Sequence, residues 1–423
     1  MRNWLIGAFV VISIPLSGIA WTSEPDPSGQ VALQAEGKET PDEPAAQGSP
    51  GTLSVHEKEL EAVTKAILEK IGTLSIHGGV VGFYQGTNDV KIEDQEFTNP
   101  DGAGFVADLE FLFSPIEGGE MLLRIHAGEG DGGDRELEAE GALFADLNTL
   151  NDDNPGDDGV RILDVFYTHA FLDEKLFFSI GKTEPLAFLD DNAFANDEYA
   201  QFVGKPLVNN PVLSSENEYA PLLALRAAPA EALAVTFVFQ SSSRPLLDEE
   251  QQKSSFDNIF DKPFLAGQIT FSPALAGMEG NYRIYGWAQT YEHPRLTGDG
   301  SEEGWGIGLS LDQEIHEKVG LFARFGYQNE EVYEVPWFWS AGTQIKGLLP
   351  VREEDELGMG IAGLHANKDL QNDGTELHLE AYWRVAFGEH FALSPDIQYV
   401  INPLGDHDND GVVAGMLRGE AYF

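Results

Sequence analysis

The chain has 423 residues, enough for two or three ordinary domains or one large all-β unit. It has no cysteine, which excludes a disulfide framework and any Cys-ligated metal centre. With 71 acidic against 25 basic residues its formal charge is −46; such a surface repels phosphate backbones, which sets nucleic acid aside as a partner, and favours cations or a cation-rich medium.

Met1-Arg2, the apolar run "WLIGAFVVISIPL" and the small residues of "GIA" predict a secretory signal peptide over residues 1–20, cleaved after about Ala20. The alternative, an uncleaved anchor, has an apolar run shorter than the roughly 20 residues a helical span needs. No other apolar run of that length follows, so no helical membrane span is expected. Residues 21–52 are rich in Pro, Glu, Gly and Ser and cannot bury enough apolar surface to order themselves, which predicts a linker. Over 53–72, Leu60, Val63, Ile67 and Ile71 recur at spacings of three and four before Gly72, which predicts a short amphipathic periplasmic helix. It could pack on the neighbouring domain, or act as an oligomerisation coil with a homotrimer as the product.

From Thr73 to Phe423 the hydrophobic period changes to two. "AGFVADLEFLFSP" sets Phe105, Ala107, Leu109, Phe111 and Phe113 on one face and Asp108 and Glu110 on the other. "TELHLEAYWRV" sets Leu377, Leu379, Ala381, Trp383 and Val385 against Glu376, His378, Glu380, Tyr382 and Arg384. About sixteen such segments run from 73–84 to 411–423, and their connections alternate between short ("SPIEG", "LDEK", "QEIHEK", "GEH") and long (from Glu184 to Ala220, for example). A transmembrane antiparallel β-barrel has this plan, with short periplasmic turns, long external loops and both termini on the periplasmic side. A secreted β-sandwich also has alternating strands, but its loops need not alternate in length. Aromatics at segment ends (Phe83, Tyr84, Phe113, Tyr291, Trp305, Tyr327, Trp337, Trp339) and the terminal Phe423 favour the barrel, where aromatic girdles mark the two interfaces.

The C-terminal third carries a resemblance. "EAYWRVAFGEHFALSPDIQYVINP", a loop and "GVVAGMLRGEAYF" resemble the carbohydrate-selective porins of the OprB family through Tyr382, Arg384, Pro395, Asp396, Gln398, Tyr399, Asn402 and Pro403. "LFFSIGKTEPLAFLDDNAFANDEYAQFVGKPLVNNP" looks like that family's strand ending in Gly-Lys followed by a long loop. The resemblance implies a sixteen-stranded outer-membrane barrel in a Gram-negative-type envelope, in contact with outer-membrane lipid and passing sugars and other small hydrophilic solutes by diffusion. It also implies that Phe423 is the terminal aromatic presented to the barrel assembly machinery. The sequence departs from a sugar-selective lumen in charge, since more arginine would be expected than 25 basic residues in total allow.

A pore needs a polar, shaped constriction and no chemistry. The segment Glu184–Ala220 is the expected constriction loop: Phe188, Phe194, Tyr199, Phe202, Val203, Leu207 and Val212 are too many apolar groups for a waving loop. It brings Asp190, Asp191, Asp197, Glu198, Glu216 and Glu218 against Lys205. Parity with the aromatic face places Asp108, Glu110, Arg124, His126, Asp164, Arg226, Arg283, Gln289, Arg324, Glu380, Tyr382, Arg384, Asp396, Gln398 and Arg418 on the lumen side. Arginines and carboxylates facing across a neck would set a transverse field, and Tyr285 or Trp287 could stack on a sugar ring. Each charged residue could equally serve a wall ion pair between neighbouring strands.

"DHDNDG" places Asp406, Asp408 and Asp410 at calcium-loop spacing, but the twelfth position is Leu417 where a bidentate Glu is required, so it is at most a weak divalent-cation site. "GKT" at 181–183 lacks the upstream glycine of a phosphate loop, and neither H-E-x-x-H nor G-x-S-x-G occurs. No cofactor and no enzymatic activity are expected. The reading is a passive porin for carbohydrates and other small solutes; the alternatives are a general cation-preferring porin, and a non-transporting acidic barrel serving adhesion or ion binding.

Overall fold

A strand with one apolar and one charged row can meet lipid and water at once only in a sheet without free edges, because unpaired backbone groups are not tolerated in hydrocarbon. The computed structural model shows such a sheet. It describes residues 73–423 except 99, 153–158, 214, 216–218, 243–254, 258 and 370–372. The expected signal peptide (1–20), linker (21–52) and helix (53–72) lie outside the described residues, as do Glu216 and Glu218 and the trimer reading that rests on the helix.

Sixteen long strands stand out among the described residues. They are β1 Thr73–Thr87, β2 Asp101–Ile116, β3 Gly119–Glu129, β4 Val160–Phe171, β5 Leu176–Thr183, β6 Ala220–Ala230, β7 Leu233–Gln240 and β8 Phe264–Phe271. There follow β9 Met278–Pro294, β10 Ser301–His316, β11 Val319–Gln328, β12 Trp337–Lys346, β13 Glu356–His365, β14 Thr375–Ala386, β15 Phe391–Ile401 and β16 Val412–Tyr422. Each pairs antiparallel with its sequence neighbours, and β1 closes the barrel on β16 from Gly79↔Tyr422 to Thr87↔Ala414.

The two rows separate cleanly. On β16 the outward Val413 and Leu417 are 43% and 48% exposed, whereas Ala414, Met416, Arg418 and Glu420 are buried on the inside. No helix among the described residues is long and apolar enough to cross a membrane. Tyr84, Trp305 and Tyr399 mark the outward face near the external ends, and Phe171, Phe271 and Trp383 near the periplasmic ends. Two of the expected girdle aromatics differ: Phe83 and Tyr291 lie on inward rows and are buried.

The loops fill much of the lumen. The hairpin Val90–Ile92/Gln95–Phe97 and the loop 130–159 (L2) cover the inner faces of β15 and β16, where Val90, Ile92, Phe97, Leu137 and Leu147 pack on Val400, Val412 and Ala414. The loop 184–219 (L3) packs Phe202, Leu207, Val208 and Val212 against Phe322, Phe338, Ala362, Leu364 and Tyr382 of β11–β14. Leu189 and Leu213 of L3 pack on Leu222, Val238, Phe264 and Trp287 of β6–β9.

Candidate functional site

L3 enters the barrel because its apolar side chains find a wall and its polar groups find partners there. Phe202 meets Phe322 and Tyr382 edge-on, with ring centroids 5.4 and 5.0 Å apart. The wall is recessed to receive it: on β11, a Cβ at Gly326 would stand 2.1 Å from Val212 Cγ2, so only glycine lets L3 sit this close. Below the apolar contacts lies a set of buried polar anchors. Arg324 Nε is 3.0 Å from Asp190 Oδ2, and its Nη atoms donate to Leu207 O, Asp190 O and Asn196 Oδ1. Asp190 also accepts from Tyr285 OH at 2.8 Å and from the Asn210 amide at 2.9 Å. Arg283 donates to Asp312 at 2.6 Å and to Asp191 at 3.2 Å. Glu380 accepts the Val203 and Gly204 amides at 2.6 and 2.9 Å, and Arg418 donates to the Gln201 and Glu198 carbonyls.

Most of the candidate lumen residues therefore hold loops. Asp190, Asp191, Arg283, Arg324, Glu380 and Arg418 anchor L3; the buried Tyr382 ring packs on Phe202 while its hydroxyl accepts from Gln344 at 2.9 Å. Gln398 donates to Leu147 O of L2, and Asp396 lies buried on the same inward row of β15. Arg384 bonds Glu420 at 2.9 Å near the periplasmic end, and Arg226 lies over the Phe177 ring. Tyr285 and Trp287 are covered by L3 and by Phe264 and Tyr333, so neither offers a face to a passing ring.

What L3 leaves open is a cavity of about 390 Å³ beside β1–β3. Its charged lining is Asp108, Glu110, Asp146, Asp152, Glu184, Asp197 and Glu198 against Arg124 and Lys205. A bulge at Leu163 opposite Arg124 turns Asp164 inward, and Asp164 accepts from Arg124 Nε at 2.6 Å. Arg124 Nη2 donates to Tyr219 OH at 3.0 Å, so the guanidinium spans from the wall to the end of L3. Asp108 pairs with His126 Nδ1 at 2.9 Å and accepts from Tyr199 OH of L3. At the outer side, Lys205 of L3 reaches Asp146 and Asp152 of L2 at 2.9 and 3.4 Å.

Sequence reasoning missed L2 as a lining element. The signal was present, since "LEAEGALFADLNTL" carries Leu137, Leu143, Phe144, Leu147 and Leu150, an apolar content like that of L3. Glu376 inside β14 fixes this loop by accepting the Phe144 amide at 3.0 Å. At the external surface, Asp406, His407 and Asp408 bring ligand atoms within 4.8 Å of one another, while Asp410 is tied to the Lys91 amide at 2.9 Å.

A closed sixteen-stranded barrel narrowed by an inward-folded third external loop is the architecture of an outer-membrane porin. The high-pH structure of Pseudomonas putida OprB superposes with a TM-score of 0.69 at 16% identity, covering 86% of this chain and 97% of that one. The outer-membrane channel DcaP of Acinetobacter baumannii gives 0.54 at 12% identity, covering 83% and 97%. Both likenesses are of fold. In sequence, the chain is similar to Porin AaxA of Chlamydia pneumoniae (24% identical, covering 56% of this chain and 53% of that protein). It is also similar to Porin B of Pseudomonas aeruginosa (24%, covering 29% and 33%). The chain thus spans between a third and about half of the length of these relatives. The profile of the carbohydrate-selective porin, OprB family, matches residues 102–423, and the chain belongs to that family.

Proposed function

We propose that this chain is a passive pore of the outer membrane for small hydrophilic solutes, carbohydrates among them, and that its constriction favours neutral and cationic solutes over anions. The supporting observation is the cavity beside L3, read as the solute passage, where seven carboxylates face two cationic side chains. In a narrow neck with low-dielectric walls such an excess attracts cations and raises the barrier to anions. A neutral polyol meets hydroxyl, carboxylate and guanidinium groups that can exchange hydrogen bonds with it, so sugar passage and cation preference are compatible. An export signal at residues 1–20 would deliver the chain to the periplasm, and the assembly machinery would engage the terminal strand ending in Phe423.

Planar-bilayer conductance of the purified protein tests the reading. Expected are open channels, a cation-biased reversal potential in a salt gradient, and current block by added sugar in the millimolar range. Protein that inserts as a folded barrel without open channels would overturn it in favour of a non-transporting surface barrel. Cation bias without sugar block would leave a general cation-preferring pore.

A further inference from the structure

The connection 347–355 between β12 and β13 is the longest periplasmic turn among the described residues, and it is stitched into a definite shape. Arg352 donates from Nε and Nη2 to the two Asp355 carboxylate oxygens at 2.7 and 2.8 Å, and from Nη2 to the Ala386 carbonyl at 2.8 Å. Asp355 in turn accepts the Ala386 amide at 3.1 Å. This clamp ties the turn to the end of β14 and folds it against the outside of the barrel. Leu348 and Leu349 then face Leu357 and Trp383, which are paired neighbours on the outward rows of β13 and β14. Between them lies a groove of about 190 Å³ whose lining, apart from Asp355, is apolar. Around it Leu348 is 59%, Val351 91% and Phe387 56% exposed.

We propose that this groove holds an acyl chain of a phospholipid from the periplasmic leaflet, with the tip of the turn dipping into that leaflet. The occupant follows from continuity. Leu357, Met359 and Trp383 belong to the outward rows that contact hydrocarbon, and the groove is the downward extension of that same surface past the strand ends. The Arg352–Asp355 pair lies beside it, where a headgroup region accepts charge, and the Trp383 indole sits at the level where aromatic side chains mark an interface. A contiguous apolar surface of this kind is disfavoured in free water.

The test uses the full chain in vesicles of phosphatidylethanolamine and phosphatidylglycerol doped with a phospholipid carrying a photoreactive diazirine on its acyl chain. After illumination, adducts are mapped by mass spectrometry. The expected result is denser labelling of the peptide around 347–357 than of the outward faces of β5–β7, falling about tenfold in Leu349→Glu, because a charge on the lipid face is expelled from hydrocarbon. Conductance per channel should stay that of the parent, since the groove is outside the lumen. Leu349→Ser serves in place of Leu349→Glu if the latter lowers barrel yield. Labelling no denser at 347–357 than elsewhere, or unchanged in both variants, would overturn the proposal. So would cross-links through 347–357 to a second copy or to another protein in place of lipid adducts.

Discussion

Phe423 lies on Gly78. The Phe423 amide donates to Gly78 O at 2.9 Å, the Gly78 amide returns a bond to Phe423 O at 3.2 Å, and the ring covers the place where a side chain would project. A Cβ at position 78 would stand 2.7 Å from Phe423 Cζ. The last residue is therefore a paired member of the seam between β1 and β16, and its ring needs a glycine opposite it. Gly78→Val should push the ring away and lower the amount of heat-modifiable barrel recovered from membranes, as should deletion of Phe423. The Gly78 backbone borders the passage, but a Cβ there would project onto the Phe423 ring and not into the lumen, so conductance per assembled channel should hold. A changed conductance with normal assembly would contradict this role for the seam.

The Arg324–Asp190 pair is fully buried between β11 and L3. Removing one member of such a pair strands the other charge, at a cost of about 3–5 kcal/mol, whereas replacing both is far milder. Arg324→Met should therefore release L3 from the wall, seen as a larger and noisier single-channel conductance and faster proteolysis within 184–219. Arg324→Met combined with Asp190→Asn should recover part of the parent behaviour. Equal conductance in the single variant and the parent would show that apolar packing alone fixes the loop.

The barrel was legible because a period of two and the alternation of loop lengths are local features that a sheet in lipid imposes on strand after strand. Inward and outward rows could be assigned by parity, so Arg283, Arg324, Glu380 and Arg418 could be placed on the lumen side. Their partners could not. Arg324 meets Asp190 because L3 crosses the barrel to β11, a tertiary contact between residues 134 apart in the chain, and no periodicity encodes it. The recess at Gly326 was hidden for the same reason, whereas the inward path of L2 was signalled by its apolar residues. A glycine in a strand does not say which loop will fill its place.

Asp134 gives L2 a pH dependence. It is buried and accepts the Leu147 amide at 3.1 Å, and burial, with Asp146 and Glu138 nearby, pushes its carboxyl from 3.8 up to about 7. A carboxyl whose folded value is raised binds a proton more tightly in the folded loop, so stability falls as pH rises between those two values and is level above them. Hydrogen exchange of L2 amides, corrected for intrinsic rates, should show more protection at pH 5 than at pH 7.5. Asp134→Asn, uncharged throughout, should remove most of that difference while leaving exchange in the strands as it was.

Lys205 should tune selectivity more than stability. Its ammonium group reaches Asp146 and Asp152, but its side chain is 36% exposed, and ion pairs that wet contribute about 0–1 kcal/mol. L3 has many other anchors, so Lys205→Gln should leave the barrel and the loop in place. What it removes is one of two positive charges facing seven carboxylates in the passage. The reversal potential in a potassium chloride gradient should move further toward cation preference in Lys205→Gln and back toward neutrality in Glu198→Gln. Both shifts should shrink at about 1 M salt, where the screening length is about 3 Å. Opposite signs for the two variants at low salt are the required outcome. Shifts of the same sign would mean that the substitutions act by moving L2 against L3, and that the passage charge does not set the preference.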